Sequence, residues 1–189
     1  QGGHGGTQSS GYTCSGWGGP ASDDFQTYNG SSWSSGTDLP ISGGHVVSGG
    51  PSTNITVCAI NSSTSTLEWD GSSWSTGGTM GVARNEASRF GTTESSPGGT
   101  GLFITGGASP YMTSESYNGT SWSTALHAHN APAYSASSSD QSARGGGDSG
   151  GGNAKGILMG GGSPPYPSSK IAEYTGEALA ALSSPATFA

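Results

Sequence analysis

The hydrophobic residues of this chain stand in short runs that are separated by stretches rich in glycine, serine and threonine. Most of these runs close on paired glycines. An apolar run of about four to eight residues that ends in a turn signal is typical of a buried strand. The pattern therefore predicts one buried β-strand at each of four places, residues 11–19, 54–61, 100–107 and 155–162.

A phrase follows each run and is repeated along the chain. An aromatic residue precedes Asn-Gly, Asp-Gly or Thr-Gly, and the chain then returns to a tryptophan or, in the last copy, to Leu179. Asn-Gly and Asp-Gly tolerate the positive φ angles that a type I′ turn requires. Each phrase is therefore predicted to be a β-hairpin closed by such a turn. The four copies span residues 25–33, 67–74, 114–122 and 171–179.

The aromatic residues of the phrase keep a regular spacing. The steps between them are about 41, 48 and 57 residues, close to the ~40 to 50 residues of a four-stranded propeller blade. Recurrence in the same slot favours packing between adjacent units over stacking on sugars. We therefore predict a repeat core of Tyr28, Trp69, Tyr117 and Tyr174 together with Trp33, Trp74 and Trp122.

The order of these features resembles the kelch repeat, in which paired glycines follow a hydrophobic strand and a spaced Tyr and Trp come later. The best copy is residues 80–122. The phrase Tyr-Asn-Gly-Thr-Ser-Trp is similar to Gly/Ser-rich kelch-like repeats in structural proteins of tailed phages. The chain departs from the pattern at residues 54–61, which lack Gly-Gly, at Leu179, which replaces Trp, and in having the repeat's Arg only at Arg84.

The resemblance implies an all-β fold, a kelch-like β-propeller with about four blade units in a single domain over residues 1–189. Segment 80–88, with Arg84, is expected to supply the remaining strand of its unit. Kelch propellers typically have more than four blades, so the chain forms a closed small ring, an open arc completed by oligomerisation, or part of a longer chain. The units, circularly offset, are approximately 1–40, 41–79, 80–130 and 131–189.

Composition restricts the partners. The formal net charge is −7, and only five residues are Lys or Arg, so no basic stripe follows a phosphate backbone and nucleic acid is not an expected partner. No apolar run approaches 18 residues, so no membrane insertion is predicted. Few lysines with abundant Ser, Thr and Gly favour a particle surface or extracellular setting, and the resemblance to phage repeats implies that the particle is a virion. Because the chain begins at Gln1, we expect a trimmed or partial product.

The cysteines and histidines are the candidate metal or cross-link residues. Cys14 and Cys58 hold equivalent places in the first two apolar strands, and a disulfide requires their Cα atoms to lie within about 7 Å. The alternative is that both are small buried hydrophobes. His127 and His129 share one face of a predicted strand without a nearby carboxylate, so a surface or interface role is expected and no metal or cofactor is predicted.

No catalytic arrangement stands out, because the acids are scattered, with Glu68, Glu115 and Glu173 at strand positions. The leading hypothesis is a non-enzymatic structural and adhesion protein on a particle exterior, most plausibly a phage virion fibre, decoration or tail-associated protein. Its expected partners are further copies of itself, as a homo-oligomer or lattice, other virion proteins and host-surface glycans.

Two alternatives stay open at this stage. One is an extracellular carbohydrate-binding propeller, whose ligand-contacting loop aromatics would be Tyr111, Tyr134 and Tyr166. The other is a degenerate oxidase-like enzyme, which requires a bound metal.

Overall fold

The computed structural model is an all-β protein, which confirms the all-β part of the predicted fold class. No helix in the described part of the chain is long and apolar enough to cross a membrane. The structure describes residues 2–17, 19–58, 60–84, 87–90, 102–105, 113–125, 155–159, 162–163, 166–167, 171–175 and 178–181. Of these, the backbone alone is described for residues 17, 58, 88–90, 102–103, 105 and 125 and for every strand from residue 155 onward.

Three successive units have the same architecture, a four-stranded antiparallel sheet in which each strand pairs with the next along the chain. The first unit contains β1 to β4, which span Gly3–Thr7, Ser10–Trp17, Ala21–Tyr28 and Trp33–Ser35. The second contains β5 to β8, which span Val47–Gly49, Ile55–Cys58, Thr66–Trp69 and Trp74–Thr76. The third contains β9 to β12, which span Ser88–Phe90, Leu102–Thr105, Ser114–Tyr117 and Trp122–Ala125.

The fourth unit differs from the first three. Its described sheet has three strands in the order β13-β16-β17, and a separate hairpin of β14 and β15 is inserted between the first two. Each of the four units lies within one of the predicted ranges, and a single domain over 1–189 stays a prediction. The bounds of β13 to β17 are Lys155–Met159, Gly162–Ser163, Tyr166–Pro167, Ile171–Thr175 and Ala178–Ala181.

The four repeated phrases are hairpins, as predicted. Each aromatic residue of the phrase is paired across the hairpin with the residue five positions later, and the fourth copy keeps this register with Leu179 in place of Trp. The pairs are Tyr28 with Trp33, Trp69 with Trp74, Tyr117 with Trp122, and Tyr174 with Leu179. Equivalent positions in different units can therefore be assigned from the backbone.

The segment expected to carry the remaining strand does not do so. Residues 80–84 have no regular structure, and β9 begins only at Ser88. Arg84 thus lies in the connection between the second and third units, and the prediction that places it on a strand is wrong. The physical reason is a competing hydrogen bond, because the Met80 N–H donates to the Thr64 carbonyl at 2.9 Å and turns this segment back onto its own unit.

Within the described residues the hydrophobic core forms two clusters, and each includes side chains of two consecutive units. The larger joins side chains of the first unit, such as Phe25 and Tyr12, to side chains of the second, such as Ile55 and Trp69. The smaller joins the second and third units, and its members are Val47, Met80, Ile104 and Tyr117. The first strand of each unit also contacts the first strand of the next unit: β1 contacts β5, β5 contacts β9 and β9 contacts β13. Both clusters therefore join one unit to the next.

Candidate functional site

The tips of the first three hairpins are four-residue loops with one shared design. In the first, the Asn29 side-chain Oδ1 accepts the N–H groups of Ser31 and Ser32, both at 2.9 Å. Only the glycine of each loop has positive φ, Gly30 at 93° in the first. The predicted type I′ turn is therefore wrong, because that turn needs positive φ at both central residues. The Asn or Asp acts through its side chain as an acceptor.

The same acceptor is a carboxylate in the second loop and an amide in the third. Asp70 Oδ1 accepts the N–H groups of Ser72 and Ser73 at 2.8 Å, and Asn118 does the same for its own loop. The N–H of Ser73, followed by the hydroxyl and N–H of Ser72, lowers the pKa of Asp70 from 3.8 to about 2. This loop is therefore the one whose hydrogen bonds depend on an ionised group.

Behind each loop, the paired aromatic residues form a tilted ring contact. The ring centroids are 5.2 Å apart for Tyr28 and Trp33, 5.2 Å for Trp69 and Trp74, and 4.9 Å for Tyr117 and Trp122. Such pairs contribute about 0.5–1.5 kcal/mol beyond the burial of their area. The repeat thus builds the same aromatic pair three times.

In the second unit this pair packs on the first unit. The Trp74 ring lies 5.2 Å from the Phe25 ring at a T-shaped angle, and Trp69 lies 4.9 Å from the same Phe25 ring. The indole Nε1 of Trp74 donates to the Thr37 carbonyl at 2.8 Å. Trp74 is therefore a contact between units, as predicted for the repeat core.

In the third unit the pair packs on the second unit through the same slots. The indole Nε1 of Trp122 donates to Thr66 Oγ1 at 2.9 Å, and Thr66 holds the register position of Phe25. The Tyr117 hydroxyl donates to Glu68 and accepts the Gly78 N–H at 3.4 Å. The second and third units therefore each present their aromatic pair to the preceding unit.

The tryptophan of the first unit is not buried. Trp33 is 53% exposed, and Tyr28 is half-buried. The prediction that places Trp33 in the repeat core is wrong, because within the described part of the chain no unit lies against this slot as the first unit lies against Trp74. Tyr28 and Trp33 together are called the Trp33 face below.

Two further buried residues lie in the contacts between units, one in each contact, and the sequence analysis does not identify them as core. Leu39 and Met80 each stand six residues after the tryptophan of their hairpin, and both are buried. The Leu39 N–H donates to the Asp23 carbonyl at 2.9 Å, the equivalent of the bond from Met80 to Thr64. Their equal spacing from the tryptophan is the signal that would have found them.

The contact between the second and third units also contains a buried ion pair. Arg84 donates from Nε and Nη2 to Glu115 Oε2 at 3.2 and 3.0 Å, and from Nη1 to the Thr113 carbonyl at 2.9 Å. Glu115 Oε1 accepts the Gly81 N–H at 2.6 Å. Both side chains are buried. The pair fixes the connection before β9 against the third hairpin.

Some of the predicted site residues lie where the structure describes no side chains. Tyr111, Tyr134, His127 and His129 lie outside the described residues. Tyr166 lies on β15 and Tyr174 on β16, where the backbone alone is described.

The two cysteines hold equivalent register positions. Cys14 is buried, and its backbone pairs with Phe25 as that of Cys58 pairs with Thr66. The Cys58 side chain is not described, so a disulfide between them stays a prediction. Among the described residues, no group of three or more His, Cys, Asp or Glu side chains could hold a metal ion.

Comparison with known proteins gives a likeness of fold. No family model matches the chain, and no curated protein matches it. Among solved structures, 78 chains are similar. One of them, titled "Structure of YjhT", has a TM-score of 0.66 and 14% sequence identity, and the match covers 97% of this chain. This chain spans only 65% of the length of that one. At this identity the likeness concerns the fold alone.

Proposed function

We propose that the chain forms an arc of kelch-like β-propeller blades and serves as a non-enzymatic structural and adhesion protein on the exterior of a particle. A phage virion fibre, decoration or tail-associated protein is the form that the repeat phrase favours. Its partners are then further copies of itself, other virion proteins and host-surface glycans, and its location is the virion surface or an extracellular space.

The observation that carries the proposal is the contact repeated between consecutive units. Trp74 packs on Phe25, and Trp122 packs on Thr66 in the equivalent slot. A repeat protein whose units bury their faces against one another is stabilised mainly by nearest-neighbour interfaces. Such a design suits a building block that extends or tiles, which supports a structural role.

The use of the charged side chains supports the same role. Glu68 accepts from Tyr117, and Arg84 is bound to Glu115 and to a backbone carbonyl. These groups join one unit to the next, so their hydrogen-bonding capacity serves packing. The acidic, Gly- and Ser-rich composition fits a soluble particle surface.

The test is the native mass and shape of the purified chain, from native mass spectrometry and negative-stain electron microscopy. Rings, fibres or a lattice of several copies are expected. A compact monomer at every concentration would contradict the structural role and direct attention to a binding module.

One observation favours a second candidate, an extracellular carbohydrate-binding module. Trp33 is exposed beside Tyr28, and aromatic faces of this kind stack on sugar rings. A glycan array compares the chain with Trp33→Ala, Tyr111→Ala and Tyr134→Ala. Loss of a glycan signal with unchanged stability supports this candidate, and no glycan signal for the parent chain rejects it.

A further inference from the structure

We propose that the Trp33 face binds the fourth hairpin, β16 and β17, of a second copy of this chain, so that copies associate head to tail. The inference deepens the proposed function and rests on its self-association, since it names the partner surface and the contact.

The first argument is continuity with the two observed interfaces. The aromatic pairs of the second and third units are each covered by the preceding unit, and the pair of the first unit is built with the same register and ring spacing. The Trp33 indole donates to no residue of the described part of the chain, whereas Trp74 and Trp122 each donate to the preceding unit. The Trp33 face therefore fits the surface that a unit of this type presents to the aromatic pair of the next unit.

The second argument is the chemistry that the Trp33 face requires. Tyr117, the equivalent of Tyr28, donates its hydroxyl to Glu68 of the preceding unit. Trp74, the equivalent of Trp33, packs on the apolar ring of Phe25. A partner unit with a carboxylate at the position of Glu68 and an apolar residue at the position of Phe25 therefore supplies each ring of the Trp33 face with a contact that is seen in one of the two interfaces.

The fourth hairpin has these residue types at these register positions. Glu173 directly precedes Tyr174 on β16, as Glu68 directly precedes Trp69 on β7. Ile171 stands three residues before Tyr174, as Phe25 stands three residues before Tyr28. The first hairpin offers Thr27 at the position of Glu68, so it lacks the carboxylate.

The order of the units favours a second copy, rather than the same chain, as the partner. The first strands contact one another in the order β1, β5, β9 and β13, so the first and fourth units are the two ends of a row. Among the described strands, β1 and β13 have no contact comparable to those between consecutive units, which favours a row with separated ends over a ring of four units. Complementary surfaces at opposite ends of one molecule give head-to-tail rings or filaments.

The first experiment measures self-association by sedimentation velocity for the parent chain, for Trp33→Ala and for the control Ile41→Ala. Ile41 is the other large exposed hydrophobic side chain of the described residues, at 40% exposure, and it lies outside the Trp33 face. We expect Trp33→Ala to weaken association by more than about tenfold, the scale of a buried aromatic contact, and Ile41→Ala to leave it unchanged. Association that is insensitive to Trp33→Ala overturns the inference but leaves the proposed function standing. A monomeric parent chain contradicts both.

The second experiment identifies the occupant by mixing copies with Trp33→Ala and copies with Glu173→Lys, followed by sedimentation velocity. Each variant alone is expected to be monomeric, and the mixture is expected to form a dimer and nothing larger, because only one intact Trp33 face and one intact fourth hairpin are left in each pair. A mixture that stays monomeric overturns the proposal, and so does a Glu173→Lys variant that associates like the parent chain. Glycan binding at the Trp33 face of a monomer assigns the aromatic residues to a sugar instead.

Discussion

Trp33 and Trp74 occupy the same place in two hairpins with the same register, the same loop design and the same 5.2 Å contact to the paired aromatic ring. Trp74 is half-buried and bonded to Thr37, whereas Trp33 is mostly exposed. The local sequence therefore sets the hairpin, and the neighbouring unit sets the burial. A repeat position becomes core only when another unit lies against it.

The largest expected effect breaks the covered interface between the second and third units. Glu115→Ala leaves the buried guanidinium of Arg84 without its carboxylate, and we expect the free energy of unfolding to fall by about 3–5 kcal/mol, measured by urea titration. The matched control is the double variant Arg84→Met with Glu115→Leu, which places at position 115 the residue type of Leu67 in the second unit. A double variant as unstable as Glu115→Ala would show that the unpaired charge is not the cause.

A direct contrast between the two tryptophans is the next test. Trp74→Ala removes a ring that packs on Phe25 and a hydrogen bond to Thr37, so we expect a loss of about 3 kcal/mol. Trp33→Ala at a concentration where the chain is monomeric is expected to cost only about 0.5–1.5 kcal/mol, the contribution of its ring contact with Tyr28. Equal losses from the two substitutions would contradict the proposed difference between a covered and an uncovered face.

The tyrosines give a finer version of the same contrast. Tyr117→Phe removes the hydroxyl that donates to Glu68, and a hydrogen bond to a charged group contributes about 1.5–3 kcal/mol. Tyr28→Phe, its matched control, removes an equivalent hydroxyl that donates to no carboxylate within the described residues. Unfolding in urea should therefore separate the two variants, and a Tyr28→Phe loss as large as that of Tyr117→Phe would argue that the first unit is covered by its own chain.

The smallest effect concerns pH and the second hairpin loop. The folded pKa of Asp70, about 2, lies below its ordinary value of 3.8, so its contribution to stability is present above about pH 4 and is lost as the pH falls towards 2. Asp70→Asn, which copies the acceptor of the other two loops, should flatten this part of the dependence of the unfolding midpoint on pH. The first and third loops, with Asn29 and Asn118, should add no slope of their own. An unchanged slope in Asp70→Asn would remove Asp70 as its source.

Much of the fold could be predicted from the repeat. The phrase around Asn-Gly and Asp-Gly located the hairpins, and the slots of Trp74 and Trp122 are the contacts between units that the repetition indicated. The loop type could not be predicted from the dipeptide, because the Asn29 side chain competes with the type I′ backbone by accepting two N–H groups.

The remaining features depend on residues far apart in the chain. Arg84 stands out in the sequence because the repeat's arginine occurs only there, but its partner Glu115 is 31 positions away, and no local pattern links them. The exposure of Trp33 depends on what lies in front of the first unit, which the phrase itself does not encode. The fourth unit departs most from the repeat, in keeping with its loss of the tryptophan at Leu179.

The most direct measurement of the central claim is solvent exchange of the tryptophan indole N–H groups, followed by NMR in dilute and in concentrated samples. The account predicts slow exchange for Trp74 and Trp122 at all concentrations, because both indoles donate to a preceding unit. It predicts fast exchange for Trp33 in the dilute monomer and slow exchange once copies associate. Slow exchange of Trp33 in the monomer, or fast exchange in the assembled protein, would contradict it.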